Sequence, residues 1–483
     1  MPTLRPVLFI VGMLLLALAG FMLVPAAVDA VNDDPDWRAF LVSAAMTGGL
    51  GGALMLGYRQ ARAPMLAPRD GFLLTVMAWL ALCCFSTLPF LLSVKELSFA
   101  DAFFEAMSGL TTTGATVIVG LAEQPKGLLL WRALLHLIGG IGIIVTAVAI
   151  LPVLRVGGMQ LFRMESSEKF EKVRPRVSQV STIVITVYLV LTTICAIALS
   201  IAGMPTFDAV CHAISAVATG GLSTQDASIG YYQSATIEWI VIVFMFLGAC
   251  PFVLLAAVAQ GHVRGLLQDA QVRWFAAYVA CIVAAVSVWQ AVANGRPAAE
   301  AIRSSAFAVV SLATTTGFVT EDYSLWGTFP VAVFMMLYFI GGCTGSTTGG
   351  IKVFRYCVLG SVSQWQIRLL VHPNRVRPPT YNGKPISEDV VRSVLSFFVF
   401  YIAGYFLLTV VIGLFGLDLV TASSAVAQAL ANAGPGLGPV VGPAGTFAPL
   451  PDGAKWVLSF AMLLGRLELL TVLVLLTPVF WRG

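Results

Sequence analysis

The strongest constraint on this chain is an interruption that recurs four times. Ten apolar stretches, at about 7–28, 39–58, 71–92, 128–154, 178–202, 235–260, 274–294, 328–350, 390–416 and 455–481, are each long enough to cross a bilayer as a helix. Between some of them lie apolar pieces too short to cross: 101–112, 208–218, 304–315 and 421–432. These pieces close on TTTGA (111–115), TGGLS (219–223), TTTGF (314–318) and NAGPG (432–436). When they are aligned on Gly114, Gly221, Gly317 and Gly434, the position thirteen residues earlier holds Asp101, Asp208, Ser304 and Thr421, all helix N-cap types. Six residues before the glycine stand Ser108, Ser215 and Ser311, with Gln428 in the fourth piece. The second piece also offers Gly220 as its closing glycine, but Gly221 preserves both spacings.

Such a pattern is a fourfold internal repeat of long helix, short helix, irregular loop and long helix. Hydrophobic residues make up 58% of the chain and charged ones 11%, too little charge to cover a soluble surface. The stretch from Val7 to Val28 shows no convincing cleavage pattern and a second span follows at once, so it reads as a retained helix. The expected fold is an all-α polytopic membrane protein with four pseudo-fourfold M1–P–M2 repeats around a central pore, preceded by two extra N-terminal transmembrane helices. Expected boundaries are 1–60 for the two-helix region and 61–165, 166–265, 266–375 and 376–483 for the repeats.

Lysine and arginine crowd alternate segments, chiefly 155–176 and 352–392, whereas acids crowd the others, as in VNDDPDW at 31–37. By the positive-inside rule the N-terminus is then cytoplasmic and all four short pieces dip in from outside. The eight cysteines form no CxxC pair and behave as small hydrophobes, and the four histidines are not spaced as metal ligands. With no nucleophile–base or metal constellation in the spans, no enzyme is expected.

Irregular backbone cannot face lipid, because each unpaired N–H or C=O in hydrocarbon costs several kcal/mol. Four such loops at one depth must face each other around a polar cavity. Their dependable polar groups are backbone carbonyls, which can replace the hydration shell of a monovalent cation. A divalent ion would want carboxylates. The expected lining is Thr112, Thr113 and Gly114; Gly220 and Gly221; Thr315, Thr316 and Gly317; and Asn432, Ala433 and Gly434. Carbonyl ends of the short helices point at the axis and favour a cation there. Asp101, Glu105, Asp208, Ser304, Asp418 and Thr421 are read as caps and, for the acids, as a negative outer mouth.

Residues 340–352 read IGGCTGSTTGGIK. Each interior glycine costs a helix about 0.8–1 kcal/mol relative to alanine, so a straight helix is not expected here. Gly341, Gly342, Gly345, Ser346, Thr347, Thr348, Gly349 and Gly350 suit a deformable polar plug below the filter, or else a rigid break. Arg466, in MLLGRLELL, is a charge deep in a span and must face a cavity or a partner; donation to carbonyls of 345–350 would hold the plug closed. Glu468 is only two residues away and does not share its helix face. Arg132 is expected to brace a loop or an outer acid, and His212 to make a hydrogen bond. Lys352 and Arg355 are read as membrane anchors first and gate participants second.

The segments DAFFEAMSGLTTTGATV (101–117), HAISAVATGGLSTQDASIGYY (212–232), AVVSLATTTGFVTEDY (308–323) and ANAGPGLG (431–438) resemble the four selectivity-filter regions of the Trk/Ktr/HKT superfamily of potassium transporters. The length and the two extra helices are most similar to its bacterial TrkH branch. The resemblance implies K+-channel-like repeats, one filter lined by the four glycines, a gate loop at 341–350 and a gate arginine at Arg466. Some relatives with serine at the first filter position pass sodium, so Gly114 implies K+. It also implies a homodimer in the bacterial inner membrane, docked on a cytosolic TrkA-like ring that binds NAD(H), ATP or ADP; this chain shows no nucleotide-binding fingerprint. Symport with H+ or Na+, and weakly selective Na+/K+ conduction, stay open as alternatives.

Overall fold

A computed structural model describes residues 4–61, 68–93, 97–146, 177–374 and 377–482. Seven described helices are long and apolar enough to cross a membrane: Leu4–Val31, Trp37–Gly57, Arg69–Leu92, Lys126–Val145, Val180–Ile201, Ala270–Val292 and Glu388–Gly413. Among the described residues the one strand pair is a two-residue ladder, Thr380–Tyr381 against Lys384–Pro385. The four short pieces are helices, Phe99–Leu110, Thr206–Val217, Ala298–Ala313 and Leu419–Ala431, each followed by an irregular loop.

Three of the ten expected spans are not straight. The stretch 235–260 bends by 107° between Ala235–Gly248 and Phe252–Ala259, where Pro251 supplies no N–H to continue the ladder. At 455–481 the chain bends by 105° after Arg466, and Glu468 adopts a left-handed φ of 61°. The stretch 328–350 is a helix only over Thr328–Leu337; an irregular segment follows, and helix resumes at Val353–Val371. The tail of the expected span 128–154 and the basic segment 155–176 lie outside the described residues.

Contacts between neighbouring repeats close them into a ring, with the Tyr338 hydroxyl of repeat 3 donating to the Pro435 carbonyl of repeat 4 at 2.7 Å. The short helix of repeat 2 packs on the second long helix of repeat 1 (Lys126–Val145), and that of repeat 3 packs on Ala235–Gly248 of repeat 2. The short helix of repeat 1 packs on Asp452–Arg466 of repeat 4, so the chain's two halves meet. Lys455 seals this join with a 2.5 Å bond to Asp101. The N-terminal hairpin sits outside the ring, with Asp29 accepting from the Gly127 amide at 2.5 Å.

The helix starts correct the expected caps. Ser98, not Asp101, caps the first short helix, accepting from the Asp101 amide at 3.1 Å. Pro205 and Pro297 precede the second and third helices, so Asp208 lies in the first turn and Ser304 in the interior, bonded back to the Glu300 carbonyl at 3.0 Å. Asp418 caps the fourth, accepting from Val420 and Thr421 amides at 3.1 Å each, and Thr421 is not the cap. The thirteen-residue spacing therefore marks a position that lies three residues past the N-cap position in three of the four repeats and seven past it in the third.

Candidate functional site

All four short helices end in the same way. Thr112, Thr219, Thr315 and Asn432 take left-handed φ values of 51°, 51°, 54° and 54°. The next residue then donates its amide to the carbonyl five residues back: Thr113 to Ser108 (2.8 Å), Gly220 to Ser215 (2.9 Å), Thr316 to Ser311 (2.8 Å) and Ala433 to Gln428 (3.0 Å). This is the Schellman end, in which a left-handed residue turns the chain and ties up the last carbonyls. The acceptors are the residues that the sequence aligns six before each glycine. Threonine is a poor left-handed residue, costing of order 1–3 kcal/mol, so three copies are a strain the packing must hold.

The glycines follow with φ of 86° at Gly114, 81° at Gly221, 83° at Gly317 and 88° at Gly434, a region that a Cβ disfavours. Gly221 and not Gly220 is therefore the second equivalent. Sterics close the set. A Cβ built on Gly114 would overlap the Gly220 carbonyl oxygen, one on Gly221 that of Thr316, and one on Gly317 that of Ala433; one on Gly434 would lie 2.9 Å from the Thr113 oxygen. Each glycine abuts the carbonyl preceding the next repeat's glycine, and the fourth returns to the first. A cavity of about 70 Å³ is lined by all four glycines.

Buried polar contacts fix the loops from behind. Glu105 is fully buried, not at the mouth surface, and pairs with Arg132 at 2.7 Å. Arg132 also donates to the Ser223 carbonyl (2.9 Å) and Thr116 hydroxyl (3.0 Å), joining the first two loops as a brace. Asp226, which the sequence reading passed over, accepts from the Gly120 and Leu121 amides at 3.1 Å each. Asp208 accepts from Thr224 (2.7 Å) and Tyr232 (2.9 Å), and His212 bonds Ser223 at 2.8 Å. Burial, then the Asp208 bond, pushes the Tyr232 hydroxyl well above its ordinary range, keeping it a donor. Asp418 is exposed, and hydrogen bonds from Thr421 hold its carboxyl below the usual range.

The glycine-rich segment runs directly against the base of this ring. Thr315 Oγ1 accepts from the Gly349 amide at 2.8 Å, and Thr219 and Thr347 hydroxyls lie 3.1 Å apart. A Cβ on Gly349 would overlap the Ala431 carbonyl of the fourth repeat. The bend in repeat 2 receives the segment: Cys343 N donates to Ala249 O (3.0 Å), Thr347 N to Gly248 O (3.3 Å), and Phe252 N to Gly345 O (3.0 Å). Gln271, also unforeseen, accepts from the Thr344 amide at 2.9 Å.

Arg466, buried, donates to Thr347 O at 2.8 Å and to Gly139 O at 3.4 Å, linking the segment to repeat 1. Glu468 pairs instead with Arg355, whose guanidinium lies 3.7 Å from the Phe397 ring centroid. Lys352 bonds the Thr348 carbonyl and hydroxyl. Lys352 and Arg355 are both buried, so they are fastened to the segment and to the repeat 4 bend and are not surface anchors. The structure thus brings 112–114, 220–221, 315–317, 432–434, 341–350 and Arg466 together. It leaves Asp418 at the exposed rim and buries Glu105 with Arg132.

Comparison with known proteins came to the same architecture. A family model described as TrkH, cation transport protein, matches residues 38–481. The chain is 43% identical to the Trk system potassium uptake protein TrkI of Halomonas elongata, over 99% of this chain and 97% of that protein. It is 38% identical to the Trk system potassium uptake protein TrkH of Escherichia coli K12, over 99% of both. The crystal structure of the potassium transporter TrkH from Vibrio parahaemolyticus superposes with a TM-score of 0.92 at 38% identity, covering 99% of this chain and 100% of that one.

Proposed function

The chain belongs to the TrkH family of cation transport proteins, and we propose that it takes up K+ through a carbonyl filter closed from below by residues 341–350. It is a multi-pass protein of the bacterial inner membrane. The observation that carries the reading is the closed ring, in which Gly114, Gly221, Gly317 and Gly434 each meet the carbonyl before the next repeat's glycine. Carbonyls of Thr113, Gly220, Thr316 and Ala433 would replace water around the ion. With the interior negative, each inward charge gains about 2.3 kcal/mol per 100 mV, so no pump is needed.

Contacts of Thr347 and Gly349 with the filter base support a closed gate, and Arg466 adds a fixed positive charge to that closure. Uniport is favoured over H+ or Na+ symport because the buried acids beside the filter and beside the glycine-rich segment, Glu105 and Glu468, are each held by an arginine. The proposal extends to a cytoplasmic N-terminus, the repeat boundaries given above, a homodimer, and a cytosolic TrkA-like nucleotide-binding ring that opens the gate. Reconstituted vesicles test it with K+, Rb+ and Na+ flux. Flux of K+ and Rb+ above Na+, raised in Arg466→Ala, is the expected result. Equal flux of all three ions, or no response to Arg466→Ala, would overturn the filter or the gate respectively.

A further inference from the structure

The position before the filter glycine holds threonine in the loops of repeats 1 and 3. Thr113 and Thr316 each share a 2.7 Å hydroxyl bond with the threonine two residues earlier, Thr111 and Thr314. The loop of repeat 4 has Ala433 there, and that of repeat 2 has Gly220 with no side chain at all. Gly220 is not among the glycines with positive φ, so its backbone would accept a side chain. Its neighbour excludes one. A Cβ built on Gly220 would overlap Cε1 and Nδ1 of His136 and lie 2.7 Å from Cγ.

His136 comes from Lys126–Val145, the second long helix of repeat 1, and is fully buried. Its Nδ1 is 2.7 Å from Ser215 Oγ, and the Ser215 carbonyl accepts the Gly220 amide at 2.9 Å. One residue of the short helix, Ser215, thus fixes both the imidazole and the loop it backs. The Gly220 carbonyl is in turn the one that Gly114 abuts.

We propose that His136 is a specificity-determining positioning residue, its imidazole forming the back wall of the repeat 2 filter loop in place of the side chain that the other three loops carry. The claim rests on the K+-filter reading above and adds to it where the second carbonyl is set and by what. It also explains the departure of TGG from TTG: a ring at 136 and a side chain at 220 compete for one space.

The test is a cycle on the full chain in vesicles, reading the K+/Na+ permeability ratio and, in detergent, the melting temperature. His136→Ala is expected to lower the ratio about fivefold, within the range for residues in direct contact. His136→Gln, which keeps a polar group for Ser215, retains most of it. Gly220→Ala in the native background lowers both ratio and melting temperature, and His136→Ala/Gly220→Ala recovers ground on both. A native ratio in His136→Ala, or equal damage from Gly220→Ala with and without the ring, overturns the proposal. Should Gly220→Ala not fold, His136→Ala against His136→Gln decides. Gly114→Ser runs in parallel. If it alters the ratio and His136→Ala does not, only this inference falls; if neither does, the filter falls with it.

Discussion

The second long helices of repeats 1 and 3 begin alike and end differently. Repeat 1 reads LIGGIGII at 137–144 and stays helical from Lys126 to Val145; repeat 3 reads FIGGCTGSTTGG at 339–350 and loses its helix at Leu337. Isoleucines between the glycines keep helical packing in repeat 1. In repeat 3, glycine adds backbone entropy while serine and threonine offer competing hydrogen bonds. The freed amides and carbonyls are then satisfied by the bend of repeat 2 and by Gln271. One helix is a wall; the other is a segment held by contacts from its neighbours, which the proposed gate would release. Intrinsic propensity loosens the chain, but neighbours decide where it rests.

Breaking the wall should cost most. Glu105→Ala strands the buried Arg132 charge, a loss of about 3–5 kcal/mol; the expected outcome is a large fall in melting temperature with little specific gain in flux. Next comes Arg466→Ala, which removes a charged donor worth about 1.5–3 kcal/mol from Thr347 and should raise partner-free K+ flux by about tenfold to a hundredfold, with a small change in melting temperature. Thr347→Val keeps shape but loses contacts with Thr219, Val217 O and Gly248 O. The hydroxyl's single hydrogen is shared between the two carbonyls, so with the bond accepted from Thr219 about 1–3 kcal/mol is lost, and flux should rise about fivefold to a hundredfold. If Arg466→Ala or Thr347→Val destabilised the fold as Glu105→Ala does, the division between wall and releasable segment would fail.

The smallest effect belongs to Asp418. Its carboxyl is held below the usual range, so its cap contributes stability above the unfolded-state pKa and loses it as pH falls through the folded one. Because the group is exposed and screened, the change should be under about 1 kcal/mol. Asp418→Asn should flatten that part of the melting-temperature profile, and an unchanged acid slope would remove the assignment.

Much of this was legible in the residues. The glycine alignment located all four helix ends, because a left-handed turn followed by glycine demands a fixed residue pattern. The break at 340–352 was legible from composition, and the Arg466 contact from the cost of a buried charge. The cap positions are not legible because several capping types cluster within three residues, and Ser98 and Pro205 are equally available. Of the bends at 249–251 and 467–469, the first has a usable signal in Pro251, whereas a left-handed Glu468 carries none. His136 carried the same signal as Arg466, a polar group inside an apolar run. Its partner lies in the next repeat, which only three dimensions reveal.

The most direct test is where a permeating ion sits. In crystals grown with Rb+ in place of K+, an anomalous difference peak is expected on the axis among the carbonyls of Thr113, Gly220, Thr316 and Ala433. A map with that ring empty and the ion bound elsewhere in the membrane would contradict the account.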